Sequence, residues 1–138
     1  MDRKKLPIGI SDYKRMISED YYYVDKTALI SELLKTAGTK VTLVTRPRRF
    51  GKTLGMSMLA DFFDIRMDSR EIFDGLEIAK DTYLCEKWRN KYPTIFLSFK
   101  DVDGLTFSSA YDMLSVTITE LYKEHLYLLE SERISVYD

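Results

Sequence analysis

Gly51, Lys52 and Thr53 are the residues of this chain best suited to hold an anion. They follow a β-branched apolar run, residues 41–45 (VTLVT), and a basic turn, Arg46-Pro47-Arg48-Arg49-Phe50. A segment of helical periodicity begins at Lys52 and runs on through Leu54. Strand, loop and helix start in that order let backbone N–H groups and the positive end of a helix dipole converge on phosphate. In such a loop Lys52 would reach the β and γ oxygens, and the Thr53 hydroxyl would coordinate Mg²⁺. Gly51 would let the chain approach closely, because a side chain there would occupy the anion's space.

The register fits the phosphate-loop pattern G-x-x-x-x-G-K-[ST] with one departure, Arg46 in place of the first glycine. Pro47 removes a backbone donor and fixes φ near −65°. Arg48 and Arg49 add positive charge beside the expected anion. The competing account is a basic turn that happens to read Gly-Lys-Thr; the flanking strand and helix patterns favour nucleotide binding over it. Hydrolysis needs a second strand ending in an aspartate for the Mg²⁺ shell, often followed by a glutamate that orients water. TIFLSFKD, residues 94–101, is the available candidate, and Lys100 breaks both its apolar run and the Asp-Glu pair. Asp101 and Asp103 therefore read as turn and cap residues, and no general base is identified. An alternative function is a non-enzymatic module whose Arg46, Arg48, Arg49 and Lys52 bind nucleic-acid phosphate or an acidic partner.

The bulk composition narrows the field. With 138 residues, 45% of them hydrophobic and 13% aromatic, the chain suits one domain with a packed core. Lysine plus arginine number 21 and aspartate plus glutamate 22, so a formal charge of −1 gives no general attraction to nucleic acid or anionic membrane. The single cysteine, Cys85, cannot form an internal disulfide and suits a reducing, cytoplasmic setting. No secretory leader pattern is present, and no segment approaches the ~20 apolar residues of a membrane span.

The elements that must position the loop follow from periodicity. Residues 8–19 predict a short leading helix capped by Asp12, with Tyr13, Met16 and Ile17 on one side. Residues 21–24 form a β-prone cluster. Asp25 or Thr27 then caps a helix carrying Leu29, Ile30, Leu33 and Leu34, ended by Gly38. Residues 52–64 place Leu54, Met58, Leu59, Phe62 and Phe63 on one helical face. A helical turn over 69–73 and a helix over 81–90 come next, then the strand candidate 94–99 and a long helix over 108–129. His125 on that last helix has no second ligand at i+4 and does not argue for metal. Helix, strand, loop, helix, strand, helix is an α/β order, predicting a parallel sheet with flanking helices.

The segments LPIGISDYKRMI, YYYVDKTALISELL, VTLVTRPRRFGKTLGMSML, LADFFD and YPTIFLSFKDV resemble the N-terminal part of the predicted AAA-ATPase-like family, over nearly the whole chain. In that family an arginine at the first loop position is usual, and many members carry a PD-(D/E)XK nuclease-like domain at the C-terminus. The resemblance implies ATP with Mg²⁺ as ligand, held by Arg46, Pro47, Arg48, Arg49, Phe50, Gly51, Lys52, Thr53 and Leu54. It places Asp25 and Lys26 in the segment that in similar ATPases lies near the base, so Asp25 has both a capping and a binding reading. The family's Walker B run has no counterpart before Asp138. Residues 1–138 accordingly resemble the front portion of a P-loop ATPase domain with an incomplete sheet. An uncovered sheet edge predicts self-association, and nucleic-acid contact is expected only through regions outside this chain.

Overall fold

The computed structural model describes residues 4–36 and 40–132. Its elements are α1 (Tyr13–Ser18), α2 (Ala28–Lys35), α3 (Lys52–Phe63), α4 (Arg70–Phe73), a 3-10 turn (Glu77–Lys80), α5 (Thr82–Trp88), α6 (Phe107–Glu124) and a second 3-10 turn (Leu126–Glu130). They fall into two compact units, Met1–Phe96 and Leu97–Asp138. The helix end expected at Gly38 lies outside the described residues, as do the last six residues.

The structure corrects the expectation of an α/β fold built on a partial parallel sheet. Among the described residues, β pairing is confined to two isolated parallel bridges, Lys5 with Tyr21 and Asp64 with Tyr92. The runs 41–45 and 94–99 form no ladder, and their apolar side chains face solvent: Val41 is 83%, Leu43 84% and Ile95 65% exposed. β-Branched and aromatic composition favours an extended backbone, but a strand exists only when a neighbour takes up its N–H and C=O groups. No such neighbour lies beside either run among the described residues, so the sheet edge expected to drive self-association is not formed there.

The core of the first unit is helical and centred on α3. Met58 and Phe62 are buried against Tyr13 of α1, Ile30 of α2, Phe73 of α4, Ile78 of the first 3-10 turn, and Leu84 and Cys85 of α5. The rings of Tyr13 and Phe73 stack at 5.0 Å, and Phe62 meets Phe73 edge-on at 5.3 Å, a geometry that adds to simple area burial. Tyr13 also donates its hydroxyl to the Ile72 carbonyl at 2.8 Å and its backbone N–H to Ser57 Oγ at 3.0 Å. Burial pushes its phenol far above the ordinary value, so it stays a neutral donor. Cys85 donates Sγ–H to the Ile78 carbonyl at 3.3 Å, and burial likewise raises its thiol, as expected of an inert packed cysteine.

Local sequence caps three of the six described α-helix starts. Asp12 accepts from the Arg15 N–H, Asp81 from the Leu84 N–H, and Thr106 with Ser109 forms a reciprocal capping box at α6. The far end of α3 is fixed from a distance. Asn90, in the left-handed region at φ 56°, donates its amide to the carbonyls of Asp61 and Asp64 at 3.1 and 2.9 Å. Its backbone N–H reaches the Phe62 carbonyl at 2.8 Å, and its side-chain oxygen accepts from the N–H and hydroxyl of buried Ser69 at 3.0 and 2.9 Å. One side chain thus satisfies carbonyls that the end of α3 leaves open. In the second unit, α6 exposes Phe107 (86%) and Tyr122 (73%), and His125 caps its C-terminus with the ring nitrogen Nδ1 2.9 Å from the Leu121 carbonyl.

Asp61 on α3 is the least comfortable group of the core. Its Oδ2 is buried without a hydrogen-bond partner. Burial first, then the charge of Asp12, pushes its carboxyl up to about 6 against the Lys14 N–H and ammonium, with Asp64 adding further repulsion. Folding therefore favours the protonated form. The stabilisation is complete below the ordinary carboxylate value of 3.8 and is lost as pH rises through about 6. Asp61→Asn should match wild type near pH 4 and exceed it by about 1 kcal/mol near pH 8 in urea unfolding, a figure reduced because the carboxyl is only half-buried. Equal stability of the two proteins at pH 8 would rule this out. Asn90→Ala should cost roughly 2–3 kcal/mol at any pH, because it orphans two carbonyls and the Ser69 donors together. A loss below ~0.5 kcal/mol would mean that water replaces those bonds.

Candidate functional site

The loop before α3 is built from two left-handed residues. Arg49 has φ 68° and Gly51 φ 75°. Left-handed geometry is free for glycine, but for arginine it costs on the order of 1 kcal/mol, and such strain concentrates where a loop must present its backbone. These two residues, two positions apart, turn the chain just ahead of α3. A Cβ on Gly51 would meet nothing closer than 3.7 Å, so backbone conformation, rather than crowding, requires glycine here. Gly51 offers no side-chain cap, so the first N–H groups of α3 are left without the capping partner that Asp12, Asp81 and Thr106 provide elsewhere.

Lys52 opens α3 and donates its ammonium to the Arg46 carbonyl at 2.6 Å, closing the loop across six residues. Arg46, Pro47, Arg48, Arg49, Phe50, Gly51, Lys52 and Thr53 are all exposed. The three arginines make no ion pair among the described residues. Leu54 differs, packing inward against the core. The Thr53 hydroxyl is accessible on the first turn, but no group of three or more His, Cys, Asp or Glu among the described residues could hold a metal ion. In the loop, Thr53 offers Mg²⁺ one hydroxyl, and phosphate and water would supply other ligands there.

Beside Gly51 lies a pocket of about 250 Å³. Buried Met16 and Met58 with Leu54 supply its apolar groups, the segment carrying Tyr22, Tyr23 and Val24 contributes two aromatic rings, and Lys26 and Gly51 belong to its lining. This size falls just under the ~300 Å³ at which small-molecule sites begin, so it suits one ring system rather than a whole nucleotide. Periodicity had assigned Met58 and Leu54 to core packing alone. The signal for a pocket was the unbroken Tyr21-Tyr22-Tyr23 run, which no local pattern could place beside α3.

Asp25 is engaged within the scaffold. Its Oδ1 accepts from the Thr27 N–H at 2.8 Å and hydroxyl at 2.7 Å, and its Oδ2 from the Glu77 N–H at 2.7 Å. Burial works to raise this carboxyl, but those hydrogen bonds outweigh it and hold Asp25 below the ordinary carboxylate range. Thr27, fully buried, extends the same connection by accepting from the Ile78 N–H at 3.1 Å. Asp25 therefore ties the start of α2 to the first 3-10 turn, while its neighbour Lys26 faces the loop.

Residues 7–135 match the model of a family described as Predicted AAA-ATPase. An Azotobacter chroococcum mcd 1 protein, described as an uncharacterized protein in the vnfD 5' region, is 40% identical over 100 residues, which make up 72% of this chain. The matched stretch is 18% of that relative, so the chain spans less than a fifth of its length. No solved structure matches. On the extent of the family match, the chain belongs to the predicted AAA-ATPase family.

Proposed function

We propose that this chain binds a nucleotide, ATP foremost, through the Walker A-like loop and the apolar pocket next to it. The observation that carries this reading is that Gly51 belongs to both features: it starts the helix whose N–H groups lie uncapped, and it lines the pocket. A ligand with a planar apolar ring joined to a chain of phosphates fits that adjacency. The ring would enter among Tyr22, Val24, Leu54 and Met58, and the phosphates would meet the loop amides, Lys52 and the arginines. Mg²⁺, when bound with the nucleotide, would neutralise phosphate charge beside Thr53.

Turnover by this chain alone is not part of the proposal. Asp101 is exposed in a turn and lies in the second unit, and the described residues hold no carboxylate cluster from which a metal shell could be built. Hydrolysis would need groups beyond those the described residues supply.

Arg46, Arg48 and Arg49, which make no ion pair among the described residues, favour a second reading, a basic surface for nucleic-acid phosphate. Four clustered positive charges against a net charge of −1 make a small electrostatic footprint. Calorimetric titration of ATP-Mg²⁺ into wild type and Lys52→Ala separates the two. The variant should lose roughly tenfold or more in affinity, the effect of removing a charge-assisted contact. Its thermal unfolding should shift only slightly, since the bond it loses to the Arg46 carbonyl is solvent-exposed. Equal heats from both proteins would remove the nucleotide assignment, and salt-sensitive DNA binding that survives excess ATP would establish the second reading in its place.

A further inference from the structure

Asp25 and Lys26 are adjacent and do opposite things. The Asp25 carboxylate is turned into the scaffold by its three bonds to Thr27 and Glu77. Lys26 is held on its other side by its backbone N–H, which donates to the Tyr23 hydroxyl at 3.3 Å, and that hydroxyl in turn lies 3.5 Å from Met58 Sδ on α3. With the backbone pinned from both directions, the Lys26 side chain extends over the start of α3. Its ammonium lies 3.7 Å from the point a Cβ on Gly51 would occupy. It makes no ion pair among the described residues. Lys26 also lines the apolar pocket, so this cation stands where the pocket meets the loop.

Two lysines thus approach the same helix start from separate parts of the chain. Lys52 belongs to the loop and points back to Arg46, whereas Lys26 arrives from the segment before α2 and stands on the pocket side of Gly51. We propose that Lys26 is a second phosphate-binding cation, and that it contacts the phosphate nearest the base while Lys52 serves those further along. This rests on the nucleotide reading above. A free ammonium is a compact charge on a flexible stem, able to follow an oxygen without a fixed fork geometry. Its placement at the junction of apolar pocket and amide-lined loop is where a phosphate linked to a pocket-bound nucleoside must pass.

The test is a binding series on the full chain, with MANT-labelled AMP, ADP and ATP titrated by fluorescence and unlabelled adenosine as competitor. Wild type, Lys26→Met, Lys26→Arg and Lys52→Ala are compared, with thermal unfolding as a folding control. Lys26→Met should weaken AMP, ADP and ATP alike by roughly tenfold while leaving adenosine competition unchanged, and Lys26→Arg should restore most of the loss. Lys52→Ala should weaken ADP and ATP much more than AMP. If Lys26→Met binds all three phosphorylated ligands as wild type does while Lys52→Ala loses ATP, the Lys26 assignment is overturned and the nucleotide reading stands. An equal loss for adenosine and ATP in Lys26→Met would make Lys26 a support of the pocket and also overturn the assignment. No discrimination by Lys52→Ala, or no nucleotide binding by wild type, would overturn both.

Discussion

The packing of α3 is the constraint on which the first unit depends. Met58 and Phe62 put one face of this helix at the centre of a cluster drawn from five other elements. Burying an aromatic and a thioether side chain contributes several kcal/mol, on the order of 1.5–3 for each. That fixes the helix axis, and the axis fixes where its N-terminal amides point. The two ends are treated differently. Asn90, its side-chain oxygen held by Ser69, satisfies the C-terminal carbonyls from a distant part of the chain, whereas Gly51 gives the N-terminal donors no side-chain cap. A helix anchored at its middle and far end can present its near end to solvent without fraying.

The second determinant is the segment from Tyr21 to Thr27, which crosses from the α1 side to the start of α2. Its chain path is held by Tyr22 donating its N–H to the Lys5 carbonyl at 2.8 Å and by the bonds of Asp25 and Thr27 to the 3-10 turn at Glu77 and Ile78. Tyr23 packs its ring edge-on to Tyr13 at 5.5 Å, which ties the same segment to the core. The result is a rim bonded to the core on both sides, beside a charged loop. Apolar pocket walls and the exposed lysines Lys26 and Lys52 then stand on either side of Gly51.

Several local features could be read directly. Asp12, Asp81 and the turn at Ser69 mark helix starts because a short polar side chain at that position captures orphan amides or interrupts the preceding turn. The inward face of α3 followed from the spacing of Leu54, Met58, Leu59 and Phe62. The family assignment followed from extended runs of residues rather than from periodicity. The strands at 41–45 and 94–99 were misread because composition reports the conformation a segment favours and not whether a partner is present to complete it. The cap of α6 is Thr106, which the sequence reading does not name, because its reciprocal bond with Ser109 shows only in the folded chain.

By itself the sequence determined where the helices lie and which residue types the loop carries: a glycine that tolerates positive φ, then a lysine and a hydroxyl at the start of an amphipathic helix. These depend on contacts within a few residues, where spacing alone sets geometry. The tertiary structure decided what stands beside that loop. Asp25 is separated from Glu77 by 52 residues, Tyr23 from Met58 by 35 and Asn90 from Asp61 by 29, and each pairing depends on how the intervening chain packs. Only that packing could join Asp25 to Glu77, bring Lys26 to Gly51, and leave a ring-sized pocket lined by both of the latter.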